Sequence, residues 1–272
     1  MSQDTPDDPI SKKRVLYDMP SAEAVTVRSD VEFRGSDGDS LAMDLYYPPG
    51  VLADARTPAV VIVAGYPDPG FQRVVGCRFK EMGSSMSWGR LIAASGMVAV
   101  SYTNREPAAD LDAVFAHLGR SAAALGVDEK RIGVWASSGN VPLGLSTLLK
   151  SAKQRPACAA FLYGYLLDLD GSTAVADAAR TWRFGTPCSG KSLEDLASDI
   201  PLFLSRAGRD ETPRLNESLD RFVARALNAN MPVTVVNSPD APHAFDLLVD
   251  AETTREVVRQ VLAFLRFHLV RS

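Results

Sequence analysis

The sequence Arg131-Ile-Gly-Val-Trp-Ala-Ser-Ser-Gly-Asn-Val-Pro-Leu-Gly-Leu145 combines three kinds of local pattern in one short stretch. The residues up to Trp135 form an apolar run that is typical of a buried strand. The small residues that follow suit a tight turn, and the apolar residues from Val141 onward suit a helix. The stretch therefore predicts a strand, a sharp turn and a helix.

A serine at the apex of such a turn is the arrangement called the nucleophile elbow. Its G-x-S-x-G pattern reflects a strained backbone that needs small residues two positions before and after the serine. The pattern fits Ser138, with Ala136 and Asn140 in place of the glycines. Ser137 is the alternative, but it would place Trp135 at a position that must be small. A further alternative is that the serines only cap the helix, since Ser is a common capping residue.

Chain length and composition limit the architecture. A chain of 272 residues with 46% hydrophobic content can form one large α/β domain. We predict a loose N-terminal segment over residues 1–20 and a single domain over residues 21–272. The first residues are polar and acidic, and no apolar stretch follows that could serve as a signal peptide or membrane span. The sequence therefore predicts a cytoplasmic protein without a membrane partner.

Charge and cysteine content exclude several classes of partner and cofactor. The net charge is −4 and the Lys and Arg residues are scattered, so the basic stripe that nucleic acids require is missing. Cys77, Cys158 and Cys188 lie far apart in the sequence without a C-x-x-C pair, which favours free thiols over a zinc or redox site. The three histidines are also dispersed, without an H-E-x-x-H cluster. We expect no metal and no other cofactor.

A hairpin followed by unbroken apolar runs predicts the sheet. Polar and apolar residues alternate over residues 31–34 and 41–47 on either side of the turn Gly35-Ser-Asp-Gly-Asp39, which predicts an antiparallel hairpin with one buried face. Apart from Thr234, the later runs contain no polar side chain, as in parallel strands covered by helices on both faces. They are residues 59–63, 97–100, 132–135, 159–162, 201–204 and 233–236.

Helical stretches alternate with these runs, at residues 87–94, 109–125, 141–150, 215–229 and 253–269. Alternation of strand and helix behind a hairpin predicts an α/β fold with an eight-stranded, mostly parallel sheet and helices on both faces. Residues 165–199 fit no strand, although residues 170–180 have a helical pattern. We predict that residues 165–199 form a lid inserted over the carboxyl ends of the strands, where open α/β sheets bind their ligands.

With these features the chain resembles the α/β-hydrolase superfamily, within it the dienelactone-hydrolase-like and small esterase branch. The resemblance covers residues 25–269. In this superfamily the catalytic residues follow the order Ser, then Asp or Glu, then His, each on a loop after a strand. Asp210 follows the predicted strand at residues 201–205 and His243 follows the one at residues 233–236. Glu211 is the alternative acid, but Asp210 fits the turn spacing better.

The histidine can also be chosen by elimination. His117 lies off the apolar face of its predicted helix, and His268 shares a face with apolar residues and suits a packed structural role. Only His243 lies in a loop beyond a strand end. A serine hydroxyl is a poor nucleophile until an imidazole takes its proton, and a carboxylate must orient that imidazole. We therefore predict Ser138 as nucleophile, His243 as base and Asp210 as its partner.

The resemblance also implies an oxyanion hole made of two backbone N–H groups. One comes from the residue after the nucleophile and the other from the loop after the third strand, which correspond to Gly139 and Tyr66. Three features depart from the family pattern. Ala136 and Asn140 replace glycines at the elbow, and Ala64 stands where many lipases and esterases have a histidine. Ser138 is also not the cysteine of dienelactone hydrolases, so their substrate cannot be inferred.

Side chains just beyond the strand ends converge on the nucleophile and are candidates for substrate binding. A cationic Arg105 could bind a substrate carboxylate, although the neighbouring Glu106 could already pair with it. The indole of Trp182, in the predicted lid, could line an apolar acyl pocket, but ordinary packing is the alternative. The predicted substrate-binding residues are Asp68, Arg105, Tyr163, Tyr165 and Trp182.

Together these patterns predict a serine hydrolase that cleaves a small carboxylic ester through an acyl-enzyme. One alternative keeps the same three residues but cleaves an amide or a carbon–carbon bond. Another is a non-catalytic binding protein on a hydrolase scaffold, which would be expected to have lost one of the three. The expected partner is a small-molecule ester, and the sequence leaves a homodimer open.

Overall fold

Eight strands form one sheet in the computed structural model, which describes residues 8–51 and 55–270. Their order across the sheet is β1-β2-β4-β3-β5-β6-β7-β8. The predicted eight-stranded sheet is confirmed. The strands are β1 (Thr26–Arg34), β2 (Ser40–Tyr47), β3 (Thr57–Ile62), β4 (Val98–Tyr102), β5 (Val127–Ser137), β6 (Ala159–Leu162), β7 (Leu202–Ala207) and β8 (Val233–Ser238).

The direction of the strands also agrees with the prediction. β1 and β2 pair as an antiparallel hairpin and β2 lies antiparallel to β4, whereas the remaining pairs are parallel. Every residue of β3 and β4 is buried, because helices cover both faces of the sheet there. The expectation of a buried strand is wrong for β8, which lies at the edge of the sheet and whose residues are all half-buried or exposed. β1 begins earlier than expected and contains an irregularity between Arg28 and Val31, where Asp30 adopts a positive φ of 54°.

Eight α-helices accompany the strands among the described residues. They are α1 (Asp68–Val75), α2 (Gly83–Ala94), α3 (Pro107–Arg120), α4 (Val141–Ser146), α5 (Ala174–Trp182), α6 (Leu215–Asn228), α7 (Phe245–Leu248) and α8 (Glu252–Leu269). None of the described helices combines the length and apolar character needed to cross a membrane.

Helix boundaries differ from the predicted ones more than strand boundaries do. The apolar face predicted for α3 is buried, but the helix ends at Arg120 because the chain turns before Val127, rather than continuing to residue 125. α4 likewise ends at Ser146 instead of residue 150. The helices α1 and α7 were not predicted, since both are short and begin directly after a strand-end loop.

Residues 165–199 contain α5 and no strand, as predicted. Some apolar side chains of this segment belong to the main core, and others form a small cluster with Leu215 at the start of α6, against which Tyr66 after β3 packs. Exposed ion pairs also join the segment to α6, between Arg225 and Asp170 and between Arg214 and Asp177. That this segment acts as a lid stays a prediction.

The predicted loose segment at residues 1–20 is described from Asp8 onward, and residues 1–7 lie outside the described residues. The described part packs against the domain, with Val15 buried. The N–H of Val15 donates to Ser87 Oγ at 3.0 Å, and the N–H of Leu16 donates to the carbonyl of Asp246 at 2.8 Å. This stretch is therefore held to α2 and to α7.

A buried ion pair joins the hairpin to the body of the domain. Lys80, only 4% exposed, places Nζ 2.9 Å from Asp44 Oδ1 on β2 and 3.0 Å from Asp30 Oδ1 on β1. Burial acts to lower the pKa of Lys80, but the hydrogen bonds to Asp44 and Asp30 outweigh it and raise the pKa above its usual value. The lysine is therefore charged at neutral pH.

Replacing this lysine should destabilise the fold strongly. We expect Lys80→Met to lower the free energy of unfolding by about 3 kcal/mol, because Asp44 would remain buried without its cation. Since the pKa of Lys80 is raised, this contribution is fully present below the pKa of an unfolded-chain lysine, about 10.4, and is lost only at higher pH. Urea unfolding at pH 7 measures the effect.

The matched control is Arg56→Met, which breaks an exposed pair with Glu129 and should cost less than about 1 kcal/mol. Equal losses would contradict the role of the buried pair.

Candidate active site

The elbow predicted from the sequence is present after β5. Ser137 has extended backbone angles and is the last residue of the strand, whereas Ser138 has a φ of 54° and begins a short 3₁₀ turn that leads into α4. A positive φ is unfavourable for a residue with a Cβ and is maintained only where the surroundings enforce it. Ser138 therefore stands at the apex of the turn.

Tight packing around the apex enforces this conformation. A Cβ on Gly164, just after β6, would lie 2.3 Å from Val141 Cγ2 and 2.8 Å from the Ser138 carbonyl oxygen. Only glycine allows the chain after β6 to pass this close to the elbow. Ala136 is fully buried beneath the turn.

Ser138 belongs to a chain of hydrogen bonds that also contains His243 and Asp210. Ser138 Oγ lies 2.8 Å from His243 Nε2, and His243 Nδ1 lies 2.6 Å from Asp210 Oδ2. An ionised carboxylate can only accept, so Nδ1 carries the proton and donates it to Asp210. In the neutral imidazole, Nε2 is then free to accept from the Ser138 hydroxyl.

The environment of Asp210 keeps it ionised. Its side chain is fully buried, and its other oxygen, Oδ1, accepts the N–H of Thr212 at 2.9 Å. Burial acts to raise the pKa of Asp210, but the hydrogen bonds from His243 and Thr212 outweigh it and lower the pKa below its usual value. The carboxylate can therefore orient the imidazole throughout the neutral range.

Two neighbouring loops place Asp210 and His243 side by side. Asp210 follows β7 and His243 follows β8, and these strands pair in parallel. A Cβ on Gly208 would lie 2.3 Å from the Pro239 carbonyl oxygen, so the glycine allows the two loops to touch. The N–H of Arg209 also donates to the Ala241 carbonyl at 2.8 Å.

The loop after β3 approaches the elbow through Gly65 and Tyr66. Gly65 N–H donates to Asn140 Oδ1 at 2.7 Å, and the Gly65 carbonyl accepts the N–H of Gly185 at 3.0 Å. Among the described residues, the N–H groups of Tyr66 and Gly139 have no hydrogen-bond partner. These are the two donors predicted for an oxyanion hole.

The Tyr66 side chain closes one side of the elbow. Its hydroxyl lies against Gly139, where a Cβ would be only 2.0 Å from the phenol oxygen. The ring meets Phe184 of the 165–199 segment edge to face, with centroids 6.2 Å apart. Burial raises the pKa of Tyr66 to about 12, so the phenol stays protonated.

A buried carboxylate that sequence analysis missed lies beside the histidine. Asp246 accepts a hydrogen bond from Tyr163 Oη at 2.5 Å and one from Trp88 Nε1 at 2.9 Å. The Tyr163 ring meets His243 edge to face at 5.0 Å. Burial raises the pKa of Asp246, although the hydrogen bonds from Tyr163 and Trp88 oppose the rise. In the sequence, the only indication that Asp246 lies near the site was its short spacing from His243.

The predicted substrate-binding residues have different surroundings. Asp68 is buried and accepts the N–H groups of Phe79 and Asn104, and burial raises its pKa despite these bonds. Arg105 pairs with Asp37 in the hairpin turn at 2.7 Å rather than with Glu106. Their roles in substrate binding stay predictions.

Two other candidates belong to the 165–199 segment. Tyr165 stacks on Phe184, with ring centroids 6.1 Å apart, and its hydroxyl donates to the Pro213 carbonyl. Trp182 is 56% exposed at the end of α5. Phe184, which packs between Tyr165 and Tyr66, is therefore the aromatic residue that joins this segment to the site. The role of Trp182 in binding acyl groups stays a prediction.

The cysteines lie apart from one another in the structure as well. Cys77, Cys158 and Cys188 are free thiols, and burial raises the pKa of Cys158 and of Cys188 to about 12. Within residues 8–51 and 55–270, no three His, Cys, Asp or Glu side chains come together in a way that could hold a metal ion.

No protein-family model matches the sequence, and no curated protein matches it. Several solved structures resemble the fold. A bacterial heroin esterase aligns with a TM-score of 0.71 at 20% identity, over 94% of this chain and 88% of that one. Est2, an esterase from the planctomycete Thermogutta terrifontis, aligns with a TM-score of 0.65 at 18% identity, over 93% and 96% of the two chains. Est2 structures also exist with propionate bound, with butyrate bound and phosphoramylated by tabun.

A third similar structure is described by its fold. LAE6, an α/β-hydrolase enzyme from the metagenome of Lake Arreo in Spain, aligns with a TM-score of 0.66 at 20% identity, over 91% of this chain and 86% of that one. The chain therefore has the α/β-hydrolase fold.

Proposed function

We propose that this protein is a serine hydrolase that cleaves small carboxylic esters through an acyl-enzyme. The observation that carries the proposal is the hydrogen-bonded chain from Ser138 through His243 to Asp210, at the apex of a strained elbow. A serine held within 2.8 Å of an imidazole that is itself oriented by a buried carboxylate is the arrangement that nucleophilic catalysis requires.

The proposed reaction has two halves. Ser138 Oγ attacks the ester carbonyl while His243 Nε2 takes the hydroxyl proton, and Asp210 stabilises the imidazolium that forms. When the tetrahedral intermediate collapses, His243 returns the proton to the departing alcohol, which leaves the acyl group on Ser138. Water then repeats the sequence, with His243 as base, and releases the carboxylic acid.

The negative oxygen of each tetrahedral intermediate would be bound by the N–H groups of Tyr66 and Gly139. Both donors have no partner among the described residues, and the Gly139 N–H lies at the start of the helical turn, where the helix dipole favours negative charge. Removing one such donor typically costs 10²- to 10³-fold in kcat, so the pair supports a large part of the proposed rate enhancement.

The proposed substrate is an ester with a short acyl group. Est2, which shares the fold, has been solved with propionate and with butyrate bound. In this chain, the Tyr66 hydroxyl lies against Gly139 and the Tyr66 ring meets Phe184 edge to face, so two aromatic side chains pack beside the elbow. We also propose a cytoplasmic location and allow a homodimer.

A substrate series tests the proposal. We expect p-nitrophenyl acetate and butyrate to be hydrolysed with a higher kcat/KM than the octanoate, and a fluorophosphonate probe to label the protein once. EDTA should leave both results unchanged, since no step needs a metal. The matched anilide and a carbon–carbon substrate serve as controls for the alternative hydrolases. Labelling without turnover of any ester would contradict the proposal, and absence of both would favour a binding protein.

A further inference from the structure

Asn140 occupies the elbow position where the family pattern has its second glycine, and its side chain points to the loop after β3. Its Oδ1 accepts the N–H of Gly65 at 2.7 Å, and the residue is 5% exposed. This contact joins residues that are 75 positions apart in the sequence. The Asn140 side chain therefore makes a hydrogen bond that a glycine at this position could not make.

The two loops are in backbone contact at this point. A Cβ on Gly65 would lie 2.9 Å from Asn140 Cα and 3.0 Å from the Gly139 carbonyl oxygen. The two proposed oxyanion donors flank this contact, because Tyr66 follows Gly65 and Gly139 precedes Asn140. The Asn140 hydrogen bond thus directly connects the two backbone segments that carry the donors.

The opposite side of the same loop is held by the 165–199 segment. Gly185 N–H donates to the Gly65 carbonyl at 3.0 Å. The peptide that links Gly65 to Tyr66 is planar and trans, so its N–H points away from its C=O. Fixing the carbonyl toward Gly185 therefore also fixes the direction of the Tyr66 N–H.

We infer that Asn140 is a positioning residue that sets the spacing between the Tyr66 and Gly139 donors of the oxyanion hole. This inference rests on the proposed function. Donors stabilise a transition state only when they are already in place at the position of the developing charge, and displacements of about 1 Å can cost 10²-fold in rate. Without Asn140 Oδ1, the Gly65 peptide keeps its hydrogen bond to Gly185 but loses its direct hydrogen bond to the elbow, so the loop after β3 can shift away from Gly139.

The test compares Asn140→Ala and Asn140→Gly with wild type. We expect kcat to fall 10- to 100-fold, with KM changed by less than about threefold, because the donors act on the transition state and not on the bound ester. The inhibition constant of a trifluoromethyl ketone, whose adduct with Ser138 carries the same negative oxygen, should rise by the same factor as kcat/KM falls.

The matched control is Thr103→Val. Thr103 is equally buried and its Oγ1 accepts the N–H of Ala42 at 3.0 Å, so this variant also removes a buried side-chain to backbone bond. It should lower the melting temperature about as much as Asn140→Ala does, while kcat and ketone inhibition stay near the wild-type values. This difference separates positioning from a merely structural role.

Two outcomes would overturn the inference. If the Asn140 variants lose melting temperature but retain kcat and ketone affinity, as Thr103→Val does, Asn140 is only structural and the proposed esterase function still stands. If the wild-type protein hydrolyses no ester and binds no ketone, the proposed function fails and the inference fails with it.

Discussion

Ser138→Ala is expected to reduce kcat for the best p-nitrophenyl ester by about 10⁶-fold, the loss typical for removal of a catalytic nucleophile. The variant keeps the His243 and Asp210 pair and both backbone donors, but no oxygen remains to attack the carbonyl. Labelling by the fluorophosphonate should disappear completely. The fold should persist, because alanine is smaller than serine and His243 Nε2 is the group that loses its hydrogen-bond partner.

Ser137→Ala is the control for this experiment, since Ser137 is the adjacent hydroxyl and lies at the end of β5. It should retain most of the activity and all of the labelling. Mass spectrometry of the labelled wild-type protein should place the adduct on Ser138. An adduct on Ser137, or turnover by Ser138→Ala close to wild type, would show that the elbow has been assigned in the wrong register.

Asp210→Asn is expected to reduce kcat by about 10⁴-fold while the fold stays intact. The carbonyl oxygen of the amide should keep the hydrogen bond that Oδ1 now accepts from Thr212 N–H, which turns the amide NH₂ toward His243. The imidazole would then accept at Nδ1 and carry its proton on Nε2. In that tautomer Nε2 cannot take the proton of Ser138, so the base is lost even though every side chain remains in place.

Glu211→Gln is the matched control, because Glu211 is the adjacent carboxylate and was the alternative acid in the sequence analysis. We expect its kcat to stay within about threefold of wild type. The two variants should also differ in pH dependence, since only Asp210→Asn changes the protonation of the imidazole. If Glu211→Gln is inactive and Asp210→Asn is active, the carboxylate that orients His243 is Glu211 and not Asp210.

The sheet could be predicted from the sequence because buried parallel strands leave a simple signal. Residues 59–63 and 97–100 are apolar at every position, and the corresponding strands β3 and β4 are buried at every position. The antiparallel hairpin and the mostly parallel remainder followed from the alternation of elements, whereas the order across the sheet, with β4 between β2 and β3, was not predicted. Helix ends were less predictable, since the last turn of a helix depends on contacts that the local sequence does not show.

Long-range pairings could not be predicted. Arg105 pairs with Asp37, which is 68 positions away in the sequence, whereas the sequence suggested the neighbouring Glu106 as its protein partner. The carboxylate of Asp246 binds Tyr163, from the loop after β6, and Trp88, from α2, both of which are distant from it in the sequence. Periodicity and spacing describe neighbours along the chain, and these contacts exist only in the folded sheet.

Asn140 shows how a departure from a pattern can be informative. In the sequence it was only a residue larger than the expected glycine, with the consequence that the elbow could be displaced. In the structure the larger side chain has a partner, the Gly65 N–H, and Gly65 lacks a Cβ at the point of contact. The substitution therefore marks a connection between two loops that the family motif alone does not contain.

The hydrogen bonds that complete the site have a consequence for the order in which the protein acquires activity. Ser138 and His243 are separated by 105 residues, and Trp88 and Asp246 by 158. Contacts between residues this far apart in the sequence form late in folding, because the entropy cost of closing a long loop comes before the contacts add any stability. During synthesis, which proceeds from the N-terminus, Ser138 is made long before His243, the proposed base. Under the proposed mechanism, the nascent chain therefore carries an inert hydroxyl at Ser138, which becomes a nucleophile only when the loop after β8 joins the finished sheet.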